Sequence, residues 1–147
     1  MGQRSPNLGR RGIILARSYR QLLVWQKART FAVHVYRVTE GLPRSELFGL
    51  TSQLRRAAVS VSSNIAEGQG RLTRGEFLHF LGQARGSLLE IETQLAIASD
   101  LDFIPTDAYS ELDREAYQVL GLINRLIESL QKNTNPKGER VSETLKL

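Results

Sequence analysis

The sequence predicts an all-α fold, an antiparallel up-down-up-down four-helix bundle, on three observations. Apolar residues recur at helical spacing in four long stretches, and short segments holding Gly or Pro separate them. In Thr51–Arg71, the stretch that invites a strand reading, only Val59 and Val61 alternate before the period-two pattern dies. Helices of ~21 to 28 residues are ~30 to 42 Å long at 1.5 Å per residue, and short connections between them force antiparallel neighbours.

The first helix is expected from Tyr19 to Glu40, where "GLPRS" ends it with Gly41 and Pro43. The second starts after Ser45, a candidate cap, and stops at Gly68–Gly70. Leu47, Leu50, Leu54, Ala57 or Ala58, Val61 and Ile65 form its apolar face. Thr73 and Glu76 make a T-x-x-E capping box that opens the third. Its apolar positions Phe77, Leu81, Ala84, Leu88, Ile91, Leu95 and Ala98 step by four and three in alternation, a seven-residue repeat. The fourth follows "IPT" with Thr106 as candidate cap and carries Tyr109, Leu112, Ala116, Val119, Ile123, Leu126 and Leu130 in the same rhythm. "NTNPKG" closes it. The bundle therefore spans 18–131. A basic arm, 1–17, and a polar tail, 132–147, have no apolar face to bury and are expected to be flexible. A basic arm that orders on RNA is the other reading of 1–17.

The 147 residues, 41% hydrophobic and 24% charged, suit one soluble globular domain. No cysteine is present, which removes disulfides and thiolate metal sites. No apolar run approaches the roughly 18 residues of a membrane span. "GIILA", Gly12–Ala16, is shorter than the ~7 to 15 residues of a signal-peptide core, and Pro6 stands where a myristoylation signal wants Ser or Thr. The expectation is a cytoplasmic protein with no membrane partner.

The net charge of +5 is unevenly spread. Ser18–Gly86 holds ten basic and four acidic residues, whereas Ser87–Gln131 holds two basic and nine acidic. Solvated faces explain such runs; self-association of unlike halves, or a basic surface for nucleic acid, explains them more sharply.

Catalytic chemistry is not legible. Glu76 and His79 form a Glu-x-x-His, the unit of di-iron bundles, but the second such unit is missing, since Phe31 stands three before His34. Glu76 is already assigned to the cap. No metal and no cofactor are expected, and both histidines read as structural or surface residues. "GQGR" and "ARGSLL" match neither a phosphate-binding loop nor a nucleophile elbow.

Small residues carry a stronger signal. Gly75, Gly82 and Gly86 share a stripe with His79 on the third helix, and each interior glycine costs roughly 0.5 to 1 kcal/mol relative to alanine. Gln53, Arg56, Ser60, Ser63 and Glu67 form a polar strip on the second helix. Two explanations stay open: close approach of helices within one bundle, or a subunit interface formed around Gly82, Gly86, Ser60 and Ser63.

"VWQKA", "GLTSQLRRAAVSVSSNIAEG", "EFLHFLGQARGSLLEIETQL" and "LIESL" together resemble the bacterial four-helix-bundle family first noticed in intervening sequences of large-subunit ribosomal RNA genes. The resemblance covers roughly 22–131. That family is similar to the accessory variability determinant proteins of diversity-generating retroelements, pentameric barrels that partner a reverse transcriptase and its RNA. Many members carry a proline where this chain has Ser62. The resemblance implies a homo-oligomer, a pentamer, without enzymatic activity. It also implies RNA or another nucleic acid as partner, with a reverse transcriptase as possible second partner. The expected phosphate contacts are Arg55, Arg56, Arg71, Arg74 and Arg85, aided by Arg10 and Arg11 in the arm. Arg55 is expected to be free for phosphate and Arg56 structural. The rival is a protein-protein adaptor whose arginines pair with carboxylates.

Overall fold

The two seven-residue repeats become the core. Phe77, Leu81, Ala84, Leu88, Ile91, Leu95 and Ala98 are buried, as are Leu112, Ala116, Val119, Ile123, Leu126 and Leu130; Tyr109 packs against them half-buried. The computed structural model describes residues 18–132, an all-helical chain of α1 (Leu23–Thr39), α2 (Leu50–Gln69), α3 (Arg74–Asp100) and α4 (Thr106–Lys132). α1 packs on α2 and α4, and α3 packs on the same two, the square of an up-down-up-down bundle. Contacts of Thr39 with Arg55, Ser60 with Ser87, Arg85 with Asn124 and His34 with Glu115 set the antiparallel register. The expected arm 1–17, with Arg10 and Arg11, lies outside the described residues, as does the expected tail 132–147 apart from Lys132, which is the last residue of α4.

Three helix starts differ from expectation, each because a local hydrogen bond wins. Ser18 caps only a 3-10 turn, Tyr19–Gln21, by accepting from the Arg20 N–H, and extended Leu22 then drops its side chain into the core, so α1 begins at Leu23 rather than Tyr19. Ser45 is not a cap. Residues Arg44–Glu46 form a second 3-10 turn, and the Glu46 carboxylate accepts from the Leu50 N–H, so α2 starts at Leu50 and leaves Leu47 exposed. Thr106 is the first residue of α4, and the Pro105 carbonyl accepts from the Tyr109 N–H.

The capping box of α3 forms as expected in its first half. The Thr73 hydroxyl oxygen accepts from the Glu76 N–H at 3.2 Å and donates to the Glu76 carboxylate at 3.1 Å. At the other end of α3, Asp102 takes a left-handed φ of 59° and the Phe103 N–H reaches back to the Ala98 carbonyl.

One glycine sets how closely two helices approach. A Cβ at Gly68, near the end of α2, would lie 2.8 Å from Phe80 Cβ, 2.9 Å from Phe77 Cδ2 and 3.3 Å from the Phe77 carbonyl oxygen. Its hydrogen is therefore what lets the end of α2 lie against the start of α3.

Candidate nucleic-acid interface

Antiparallel packing re-sorts the charges. The start of α1, the α2–α3 turn and the end of α4 share one end of the bundle; residues 18–31, 60–87 and 119–132, which make that half, hold eight basic and three acidic residues. Residues 32–59 and 88–118, the other half, hold five basic and ten acidic. The contrast seen between halves of the sequence is thus an end-to-end one, with a basic end and an acidic end. At the acidic end the Glu92 carboxyl is pushed above the ordinary carboxylate range, first by burial and then by the neighbouring charge of Asp113.

Arg71 and Arg74, two of the expected phosphate contacts, stand at the basic end but differ in state. Arg71 donates from Nη2 to Glu67 Oε1 at 2.9 Å, and its guanidinium lies 4.8 Å from the Phe80 ring centroid. An exposed i,i+4 pair of this kind is weak, so Glu67 only partly neutralises it. Arg74 is half-buried at the first position of α3, and its buried Nε has no hydrogen-bond partner. Between them Leu72 is 99% exposed.

Arg55 is not free as expected, but engaged within the chain. Arg55 donates from Nε to Thr39 Oγ1 at 2.9 Å and from Nη2 to the Tyr36 carbonyl at 3.2 Å, and it lies 4.8 Å from the Tyr36 ring centroid. It closes the last turn of α1, adding a donor to a terminal carbonyl that also lies 3.0 Å from the Thr39 hydroxyl. Arg56 is exposed, without a hydrogen bond or ion pair among the described residues. Arg55→Ala should lower stability in urea denaturation by about 1 to 2 kcal/mol, one charged hydrogen-bond set and one cation–π contact. Arg56→Ala should stay within about 0.5 kcal/mol of the parent. Equal losses would contradict this assignment. Arg85 donates from Nε to Asn124 Oδ1 at 3.1 Å, tying α3 to α4.

Ser60 faces its neighbour within the chain. Its Oγ lies 3.0 Å from Ser87 Oγ and accepts from Asn64 Nδ2 at 2.9 Å. Higher along the same α2–α3 seam, Gln94 Nε2 donates to Gln53 Oε1 and Glu90 Oε1. Ser63 is exposed. Gly75, Gly82 and Gly86 are exposed too, and a Cβ at any of them would meet nothing within 4 Å, so close packing inside the bundle is not what these glycines serve.

Two clusters escaped sequence reading. His34 Nδ1 and Glu115 Oε2 lie 2.7 Å apart across α1 and α4, and with Glu111 their ligand-capable atoms fall within 4.8 Å of one another. The partner is 81 positions away, so no spacing rule finds it. The second cluster is at the basic end. Tyr19 meets Trp25 edge-on with centroids 5.1 Å apart, and the guanidiniums of Arg20 and Arg29 lie 5.6 and 5.0 Å from the Trp25 centroid. Arg29, four residues after Trp25, was the legible part.

The family model of the 23S rRNA-intervening sequence proteins matches residues 20–125. A crystal structure from Bacteroides thetaiotaomicron, a protein of unknown function from the S23 ribosomal protein family, superposes with a TM-score of 0.67 at 23% identity, covering 71% of this chain and 95% of that one. At that identity it supports the fold alone. No functionally curated protein matches.

Proposed function

The chain belongs to the 23S rRNA-intervening sequence protein family, and on that premise we propose that it is a non-enzymatic homo-oligomeric scaffold that binds RNA through the basic end of its bundle. The observation that supports this most is the sorting of charge by ends. Eight basic residues face three acidic ones there, and of the eight only Arg71 has a carboxylate within ion-pair distance among the described residues. A structural network of salt bridges would place carboxylates beside these cations. Here ten of the thirteen carboxylates among the described residues stand at the other end, which leaves the basic end with a net positive field available to phosphate. The start of α3 adds its N-terminal dipole beside Arg71 and Arg74. An accessory role to a reverse transcriptase is the narrower form of this reading, and it rests on resemblance alone.

Fluorescence anisotropy of a labelled single-stranded RNA of about 20 nucleotides over a salt series tests the reading, with log affinity expected to fall linearly with log salt at ~0.7 per phosphate contact. Arg71→Gln with Arg74→Gln should shrink that slope by about 1.4, two contacts' worth. Absence of RNA binding by the parent in low salt would replace this reading with that of a protein-protein adaptor.

A further inference from the structure

We propose that the cleft beside Trp25 at the start of α1 holds one nucleotide of single-stranded RNA, its phosphate on Arg20, Lys27 and Arg29 and its base stacked on the flat surfaces of the Trp25 indole and its neighbouring guanidiniums. This rests on the RNA-binding reading and adds the strandedness of the RNA and the residues that meet it.

The cleft measures about 460 Å³, opens to solvent and is lined by Arg20, Trp25, Gln26, Lys27, Arg29 and Thr30 among others. Its size is that of a small-ligand site. Three cations gather around it without a carboxylate partner among the described residues. Like charges so placed repel one another, and a phosphate between them would relieve that repulsion. Two of the three are held by the π system: Arg20 lies 5.7 Å from the Tyr19 centroid and 5.6 Å from that of Trp25, and Arg29 lies 5.0 Å from Trp25. A ring face attracts a cation without neutralising it, so both guanidiniums keep their charge and N–H groups for another acceptor.

The backbone that carries Tyr19 and Arg20 is also tied to α1. Ser18 accepts from the Arg20 N–H, and Gln26 Nε2 donates to the Arg20 carbonyl at 2.8 Å, which ties the 3-10 turn carrying Tyr19 and Arg20 to the first turns of α1. Arg29, one helical turn beyond Trp25, is on the same face. Within the cleft, the Trp25 indole and the guanidiniums of Arg20 and Arg29 offer the flat surfaces on which unpaired bases stack, sequence-tolerantly, while the backbone is held by charge; Tyr19 braces the indole edge-on. Bases inside a duplex are already stacked and cannot enter, so single strands are selected.

Trp25 is the only tryptophan of the chain, so its emission reports on this cleft alone. The full chain is titrated at low salt with a labelled single-stranded RNA of about 12 nucleotides, following RNA anisotropy and Trp25 emission together, a length that covers one stacking platform. The expected result is emission quenching that saturates with the anisotropy, and no quenching by the same sequence annealed to its complement. Arg20→Gln with Arg29→Gln, both exposed positions, should weaken binding by about 10-fold or more, as two lost phosphate contacts require. RNA that raises anisotropy while emission stays unchanged, with parental affinity in the variant, overturns this site and leaves RNA binding at the basic end standing. No anisotropy change with any RNA overturns both. The emission arm uses the unmodified protein, so it decides even where the variant fails to fold.

Discussion

Gly68→Ala is expected to destabilise the bundle by about 1 to 2 kcal/mol, and Gly68→Val by about 3 kcal/mol or more, as overpacking of a tight helix contact does. Alanine would ordinarily stabilise a helix interior relative to glycine by roughly 0.5 to 1 kcal/mol, so the sign of the result is itself the test. The steric argument wins because of what the new Cβ meets. Phe80 Cβ at 2.8 Å is bonded to the α3 backbone and the Phe77 oxygen at 3.3 Å is backbone, so neither can swing away as a side-chain tip would. Phe77 itself is buried, so moving its ring disturbs the core. Relief requires α2 and α3 to separate where they converge on the α2–α3 turn, and the basic corner of Arg71 and Arg74 would move with them. Valine adds branches to the same clash. Urea unfolding of the two variants measures the effect, and a Gly68→Ala protein at least as stable as the parent would show that the helices part at little cost.

The residues that were legible in sequence are those whose partners recur by period. The α3 and α4 repeats named the core correctly because a heptad position faces the bundle axis whichever helix lies opposite. Thr73 was legible since its partner, Glu76, is three residues away. Ser45 was not, because Glu46 offered a stronger acceptor to the Leu50 N–H, and a cap rule weighs one candidate at a time. Arg55 was misread for a different reason. Its position on α2 gives no hint that Thr39 and Tyr36 arrive beside it from α1, so a residue judged free was already engaged. The end-to-end charge separation needed topology before it could be seen: Arg20 and Lys132 are neighbours by end, though 112 positions apart in the chain. Gly68 read as a helix stop, and the structure makes it a contact.

Gly82→Leu carries the other large expectation, and it separates assembly from folding. The position is exposed in the middle of α3 and a Cβ there meets open space, so within one chain leucine is expected to raise stability by roughly 0.5 to 1 kcal/mol through helix propensity. Gly86, one turn further, lies under the same conditions, and two such glycines in one helix leave a cost that nothing inside the described bundle offsets. If the stripe is where a second copy brings its backbone close, the leucine side chain occupies that contact. Light scattering should then show the parent as a homo-oligomer, a pentamer by family resemblance, and the variant as smaller particles, while circular dichroism keeps its helical signal. Gly68→Val gives a different pattern, lowered folding stability, because its clash is within the chain. A Gly82→Leu protein that melts higher and keeps the parent's particle size would put this stripe in solvent and move the subunit contact elsewhere on the bundle. The oppositely charged ends, which could meet head to tail between copies, would then be the surface left to carry it.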